Sequence, residues 1–168
     1  MTQTTKHMAN TYTQLDIHLV FAVKVRESLI HKRWRDDLYR YITGIVQLHK
    51  HKMLQIGGMP DHIHIFIGYN PMHPLPKLVE EIKTSSNQYI RENGLAKSSF
   101  SWQAGYGAFS HGRSERQTVI QYIQNQEAHH SKRTFRQEYV LMLQKFEVDY
   151  KDEYLFDFQD MSGWFSDE

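Results

Sequence analysis

The sequence predicts an α+β fold: a four-stranded antiparallel sheet with two helices on one face and additional helices at the C-terminal end. Three observations carry this. Strict apolar alternation marks the first and third strands, apolar residues at three- and four-residue spacing mark the helices, and the two kinds of segment follow one another as strand, helix, strand, strand, helix, strand, then helices. That order is the split βαβ, or ferredoxin-like, arrangement.

Residues 1–10 are polar and patternless, and are expected to be a disordered N-terminus. From Thr13 the chain alternates, with Leu15, Ile17, Leu19, Phe21 and Val23 on one face and Gln14, Asp16, His18 and Lys24 on the other, which is a half-buried strand. Trp34, Leu38, Tyr41, Ile42, Ile45 and Leu48 then form the apolar stripe of an amphipathic helix. A short strand near Met53 to Ile56 is expected to run into a turn or bulge at Gly57-Gly58, and another follows from His62 to Ile67. Leu75, Leu78, Val79, Ile82, Tyr89 and Ile90 give a second helix, ended by Asn93-Gly94 as a left-handed cap. A fourth strand is expected from Trp102 to Ser110, weakened by Gly105 and Gly107. A third helix is expected to run from about Ser114 to about His130, and a fourth carries Phe135, Tyr139, Met142, Leu143 and Phe146 on one face.

In such a sheet one face takes the two helices and the other is expected to be open to a ligand. Because side chains alternate along a strand, Ile63, Ile65 and Ile67 should be buried under the helices while His62, His64 and Phe66 stand on the open face.

With 168 residues the chain fits one compact domain. Cysteine is absent, which excludes a disulfide framework, thiolate zinc and a cysteine nucleophile, so a metal would need nitrogen and oxygen ligands. There is neither a leader pattern nor an apolar run of the roughly 20 residues needed to span a bilayer, so a soluble, cytoplasmic protein without membrane partners is expected. The net charge of +1 hides an asymmetry: residues 1–146 carry 19 basic against 11 acidic side chains, while residues 147–168 carry 8 acidic side chains against Lys151 alone. A basic body of residues 11–146 with an acidic, aromatic tail of residues 147–168 fits polyanion binding, the tail either packing on the body or competing for its basic surface.

The sharpest local feature is Pro60-Asp61-His62-Ile63-His64-Ile65-Phe66. Two imidazoles two residues apart on a strand project from the same face and can converge on one metal, although H-x-H spacing also occurs with no ion. A histidine-triad phosphoryl-transfer motif would need a third histidine where Phe66 stands. The second feature is Gln121-Tyr122-Ile123-Gln124-Asn125-Gln126, which on a helix puts Tyr122 and Gln126 on one face with His129 nearly in line. Taken alone, Tyr122 reads as a half-buried aromatic.

Together the two motifs resemble the IS200/IS605 family of single-tyrosine transposases, within the HUH nuclease superfamily. The resemblance spans nearly the whole chain: His18-Leu19-Val20-Phe21 with Lys24 and Arg26, Met59-Pro60-Asp61-His62-Ile63-His64, the helix around Ile82-Lys83, Trp102-Gln103, Tyr106-Gly107-Ala108-Phe109-Ser110, Tyr122 to Gln126, and Glu147-Val148-Asp149-Tyr150 into Glu153-Tyr154-Leu155. It implies that Tyr122 is a nucleophile and that His62, His64 and Gln126 hold a divalent ion, Mg²⁺ or Mn²⁺, with no nucleotide cofactor. The implied reaction is cleavage and rejoining of single-stranded DNA bearing hairpin ends through a covalent 5′-phosphotyrosine, carried out by a homodimer. Candidates for DNA grip are Lys24, Arg26, Lys32, Arg33, Arg35, Lys50, Lys52, Arg113, Arg116, Lys132, Arg133 and Arg136. The alternatives are a domesticated relative that processes chromosomal repeat hairpins and a non-catalytic single-stranded nucleic-acid-binding module.

Overall fold

The structure, a computed structural model, describes residues 11–24, 29–158 and 161. Its strands are β1 (Asp16–Ala22), β2 (Lys52–Met59), β3 (His62–Gly68) and β4 (Gly107–His111). Its helices are α1 (Lys32–Leu48), α2 (Leu75–Glu92), α3 (Arg116–Gln124), α4 (Gln126–His130) and α5 (Phe135–Lys145). The strands lie in the order β2-β3-β1-β4, and every neighbouring pair is antiparallel. This is the α+β arrangement that the sequence predicts. Among the described residues no helix is long and apolar enough to cross a membrane.

Register decides which side chains share a face. Leu19 lies opposite Ile65 and Phe21 opposite Ile63, so the alternating apolar residues of the two central strands form one surface. Trp34, Leu38 and Ile42 of α1 and Leu78, Ile82 and Ile90 of α2 bury that surface in the main core. Helix α2 ends as its sequence predicts, passing through Asn93 into Gly94 at φ 57°.

The opposite face is not open, contrary to the expectation from the split βαβ pattern. His18 and Phe66 pair across β1 and β3, with His64, Gln55, Gly57, Gly107 and Phe109 on the same side by register. Val119 and Ile123 of α3 pack on Phe66, while Phe135, Tyr139 and Leu143 of α5 join the main core from this side. Two glycines allow so close an approach. A Cβ on Gly57 would lie 2.9 Å from Ile123, and one on Gly107 would lie 2.8 Å from the Tyr139 ring.

Three expected boundaries change. Strand β2 runs straight through Gly57-Gly58 to Met59, and its irregularity falls between Met53 and Gln55 instead. The fourth strand starts only at Gly107, because Gly105 turns the chain at φ 79° and Trp102 makes just an isolated bridge to Val23. The third helix is broken at Asn125, which leaves helical dihedrals at φ −98°, ψ 25° and separates α3 from α4. The acidic tail packs on the body up to Phe158. Phe156 is buried beside Phe135 and Tyr139, and Asp157 and Gln103 exchange two hydrogen bonds of 2.7 and 2.8 Å.

Candidate active site

The tight β2–β3 connection places Asp61 and His62 at the start of a central strand, with both side chains buried. The His62 Nδ1–H donates to Asp61 Oδ1 at 2.7 Å, which fixes the ring and leaves Nε2 pointing away from the turn. Two residues on, His64 Nδ1 shares a 2.8 Å hydrogen bond with His18 Nε2, and its own Nε2 is left without a hydrogen-bond partner. Both imidazoles therefore have an outer partner that sets ring orientation, as metal-binding histidines usually do. His62 also stacks flat on Phe135, with ring centroids 3.8 Å apart.

Helices α3 to α5 close over these two rings. Gln126, at the start of α4, brings its Oε1 to 3.3 Å from His62 Nε2. Tyr122 stands edge-on to His64 at 5.9 Å and beside His129 at 4.7 Å. Its hydroxyl donates to Glu138 of α5. The Glu138 carboxylate is the centre of the cluster: Gln126 Nε2 donates to it at 3.0 Å and His130 Nε2 at 2.6 Å, with His62 Nε2 at 3.3 Å and His64 Nε2 at 3.2 Å. Burial alone would push the Glu138 carboxyl up, but His64, His130 and His62 hold it well below the usual carboxylate range. Burial and the nearby Glu138 charge push the Tyr122 phenol in the opposite direction, above its ordinary value. Burial would lower His62, yet Asp61 and Glu138 hold it up to about 10, whereas burial keeps His64 below its ordinary value.

The donors fit a divalent cation. Ligand atoms of His62, His64 and Glu138 all lie within 4.8 Å of one another, and the buried His64 Nε2 has no hydrogen-bond partner despite its proximity to Glu138. Two imidazole nitrogens, a carboxylate and an amide oxygen suit a hard to borderline divalent ion.

The sequence-predicted quartet of Tyr122, His62, His64 and Gln126 is thus gathered within one chain. Sequence reasoning missed the roles of Glu138, Asp61, His18 and His130. Glu138 had a visible signal, since it shares the apolar stripe of Phe135, Tyr139 and Met142 on α5, where a lone carboxylate is costly.

The basic candidates divide. Arg33, Lys52, Arg113, Lys132 and Arg133 are exposed, and Lys132, Arg133 and Arg136 share a surface groove with Tyr150. Lys24 is exposed too, while Arg35 pairs with Glu127 at 3.3 Å. Arg116 grips the buried Asp16 of β1 with two bonds of 2.8 Å, which ties the start of α3 to the sheet. Arg26 lies outside the described residues.

Known proteins are similar to this chain in sequence and in fold. The chain is 23% identical over 118 residues to the ISDra2 transposase TnpA of Deinococcus radiodurans, covering 67% of this chain and 84% of that protein. A crystal structure described as a transposase from Deinococcus radiodurans R1 superposes with a TM-score of 0.57 at 24% identity, over 72% of this chain and 97% of that one. A REP-associated tyrosine transposase bound to a REP hairpin superposes with a TM-score of 0.55 at 15% identity, over 96% of both chains. Residues 11–126 match the family described as "Transposase IS200 like", a stretch that contains both histidines, the tyrosine and the glutamine, and the chain therefore belongs to the IS200-like transposase family.

Proposed function

We propose that the protein cleaves and rejoins single-stranded DNA, with Tyr122 as the nucleophile and His62, His64, Gln126 and Glu138 as the groups that hold a divalent ion. The observation that carries this reading is the convergence of the Tyr122 hydroxyl, the Nε2 atoms of His62 and His64 and the Gln126 amide on one buried carboxylate, from segments far apart in the chain.

In the proposed reaction the phenol oxygen of Tyr122 attacks the scissile phosphorus, the bond to the 3′ oxygen breaks, and a 5′-phosphotyrosine and a free 3′-hydroxyl result. The covalent link retains the phosphodiester energy, so a 3′-hydroxyl can later reverse the step without ATP. Glu138 accepts the hydrogen bond of Tyr122 and is the carboxylate positioned to receive its proton. When bound, the divalent ion neutralises charge developing on the phosphate. In the homodimer implied by the resemblance, two such sites would be brought together, and the tyrosine helix of one subunit can complete the metal site of the other.

Processing of chromosomal repeat hairpins is a second reading within the same chemistry. It is supported by the likeness to the hairpin-bound REP-associated transposase across 96% of both chains, which takes in α5 and the packed tail.

Incubation with Mn²⁺ or Mg²⁺ and hairpin-bearing single strands from the flanking genome tests the proposal. A covalent protein–DNA adduct and a new 3′-hydroxyl are expected, and Tyr122→Phe should bind the same DNA without forming an adduct. An adduct that persists in Tyr122→Phe overturns the assignment of the nucleophile.

A further inference from the structure

Next to Tyr122 and Glu138, the second sheet face holds a cavity of about 230 Å³. Val119, Leu141, Met142 and Phe146 make much of its wall apolar, and the exposed side chains of Arg133 and Lys145 also border it. His111, at the end of β4, lines it too. The His111 side chain is only 5% exposed, and neither of its ring nitrogens has a hydrogen-bond partner. Glu115 comes no nearer to Nδ1 than 3.6 Å, which is beyond hydrogen-bond length. The ring is held edge-on to Phe66 and Phe146, at 5.7 and 5.2 Å.

A buried imidazole with two unmet nitrogens is costly, and such groups in native proteins ordinarily meet a partner. Among the described residues His111 is in neither group of three metal-ligating side chains, so its partner is not a metal held in that way. Burial lowers its pKa, so the ring is neutral and offers one donor and one acceptor. A phosphate would leave the apolar wall wet and could not use the acceptor nitrogen. A nucleobase satisfies both, having flat faces for the apolar wall and an edge of donors and acceptors for the imidazole. The adjoining cations match the phosphates on either side of such a base.

We propose that this cavity receives one unpaired nucleobase, belonging to the nucleotide that adjoins the phosphate attacked by Tyr122, and that His111 hydrogen-bonds to its edge. This rests on the reading of the protein as a single-strand-cleaving enzyme and assigns it a residue that selects the cleavage site.

The test uses the full chain with Mn²⁺ and hairpin-bearing oligonucleotides, made abasic at one position at a time around the cleavage site. His111→Phe keeps the ring packing and removes both nitrogens. Thr118→Val, which changes a hydroxyl at the same cavity, serves as the second variant should His111→Phe lose its cooperative melt. For the intact substrate His111→Phe should raise KM about tenfold, the effect of losing one hydrogen-bonded partner, with adduct formation at saturation retained. For the substrate abasic at the recognised position wild type and variant should be equal. Equal losses on every substrate, or no abasic position that matters, overturn the proposal. Binding of the same strands with 2-aminopurine at each position, using Tyr122→Phe, gives a readout that needs no cleavage. One position whose fluorescence changes in Tyr122→Phe but not in the double variant with His111→Phe supports the base site even if no adduct ever forms, in which case only the enzymatic reading fails. A response at no position overturns the base site.

Discussion

A single carboxylate organises the site. Glu138 is 5% exposed and touches Tyr122, Gln126, His62, His64 and His130, and a buried charge of that kind persists only with several partners. The substitution Glu138→Gln keeps the shape and removes the charge, so it separates a ligand and proton acceptor from a neutral spacer. The expected outcome is an unchanged circular dichroism spectrum, weaker Mn²⁺ binding by calorimetry, and adduct formation slowed by about 10² to 10⁴, the usual contribution of a general acid or base. Wild-type metal affinity and rate in this variant would reduce Glu138 to a counter-charge for the histidines. The sequence showed the histidines and tyrosine because their spacing repeats a local geometry. It did not show that Glu138 meets them, because that contact depends on how α5 docks and on nothing within a few residues of position 138.

At the scale of elements, α3 with Tyr122 is placed by two fitted contacts and α5 with Glu138 by one. Gly57 lets Ile123 sit against β2, Gly107 lets Tyr139 sit against β4, and Arg116 clasps Asp16. Both glycines were legible as special positions, but their meaning as close approaches needed the partner helices. The same holds for Asn125, since the break between α3 and α4 interrupts a pattern that reads as one continuous helix. By contrast α1 and α2 were legible almost to the residue, because each buries one face against a core of ordinary apolar side chains, whereas β1 starts at Asp16 and is buried on both faces. The Asp16–Arg116 pair yields a prediction with a definite sign. Burial pushes the Asp16 carboxyl up, but the Arg116 bonds and charge outweigh this and hold it below its ordinary 3.8. Its folded-state pKa is therefore depressed, so the stabilisation is fully present above the unfolded value and is lost as pH falls through the folded one. Asp16→Asn should cost roughly 1–3 kcal/mol at pH 7, reduced from a fully buried pair because Arg116 is partly exposed. Denaturant unfolding should show the gap between wild type and variant narrowing below about pH 4. A gap that stays constant down to pH 3 would mean that the pair acts through shape alone.

Across the whole molecule, the acidic tail and the cluster around Glu138 share a foundation. Phe156 is 8% exposed and packs on Phe135 and Tyr139 of α5, the helix that also carries Glu138 and the ring on which His62 is stacked. Gln103 holds the adjoining Asp157 backbone by both its amide atoms, so the tail is clamped at the residue that follows this contact. Ending the chain after Phe146 would uncover Phe135 and Tyr139 and remove the clamp together. Phe156→Ala isolates the packing and should cost about 3–5 kcal/mol, as is usual for emptying a buried aromatic site. Since α5 positions Glu138, the same variant should also slow adduct formation at temperatures where it remains folded. Asp152→Asn tests the other role that an acidic tail can have, because Asp152 pairs with Arg136 at 3.3 Å on the exposed groove that holds Lys132, Arg133 and Tyr150. It should leave the melting temperature unchanged and strengthen single-stranded DNA binding, with log K falling more steeply against log salt by about 0.7 if one further phosphate contact is gained. A thermal melt and a salt titration of the two variants read these effects independently. Should Phe156→Ala melt like wild type while Asp152→Asn does not, the tail would be held by its charges rather than by its aromatic side chains.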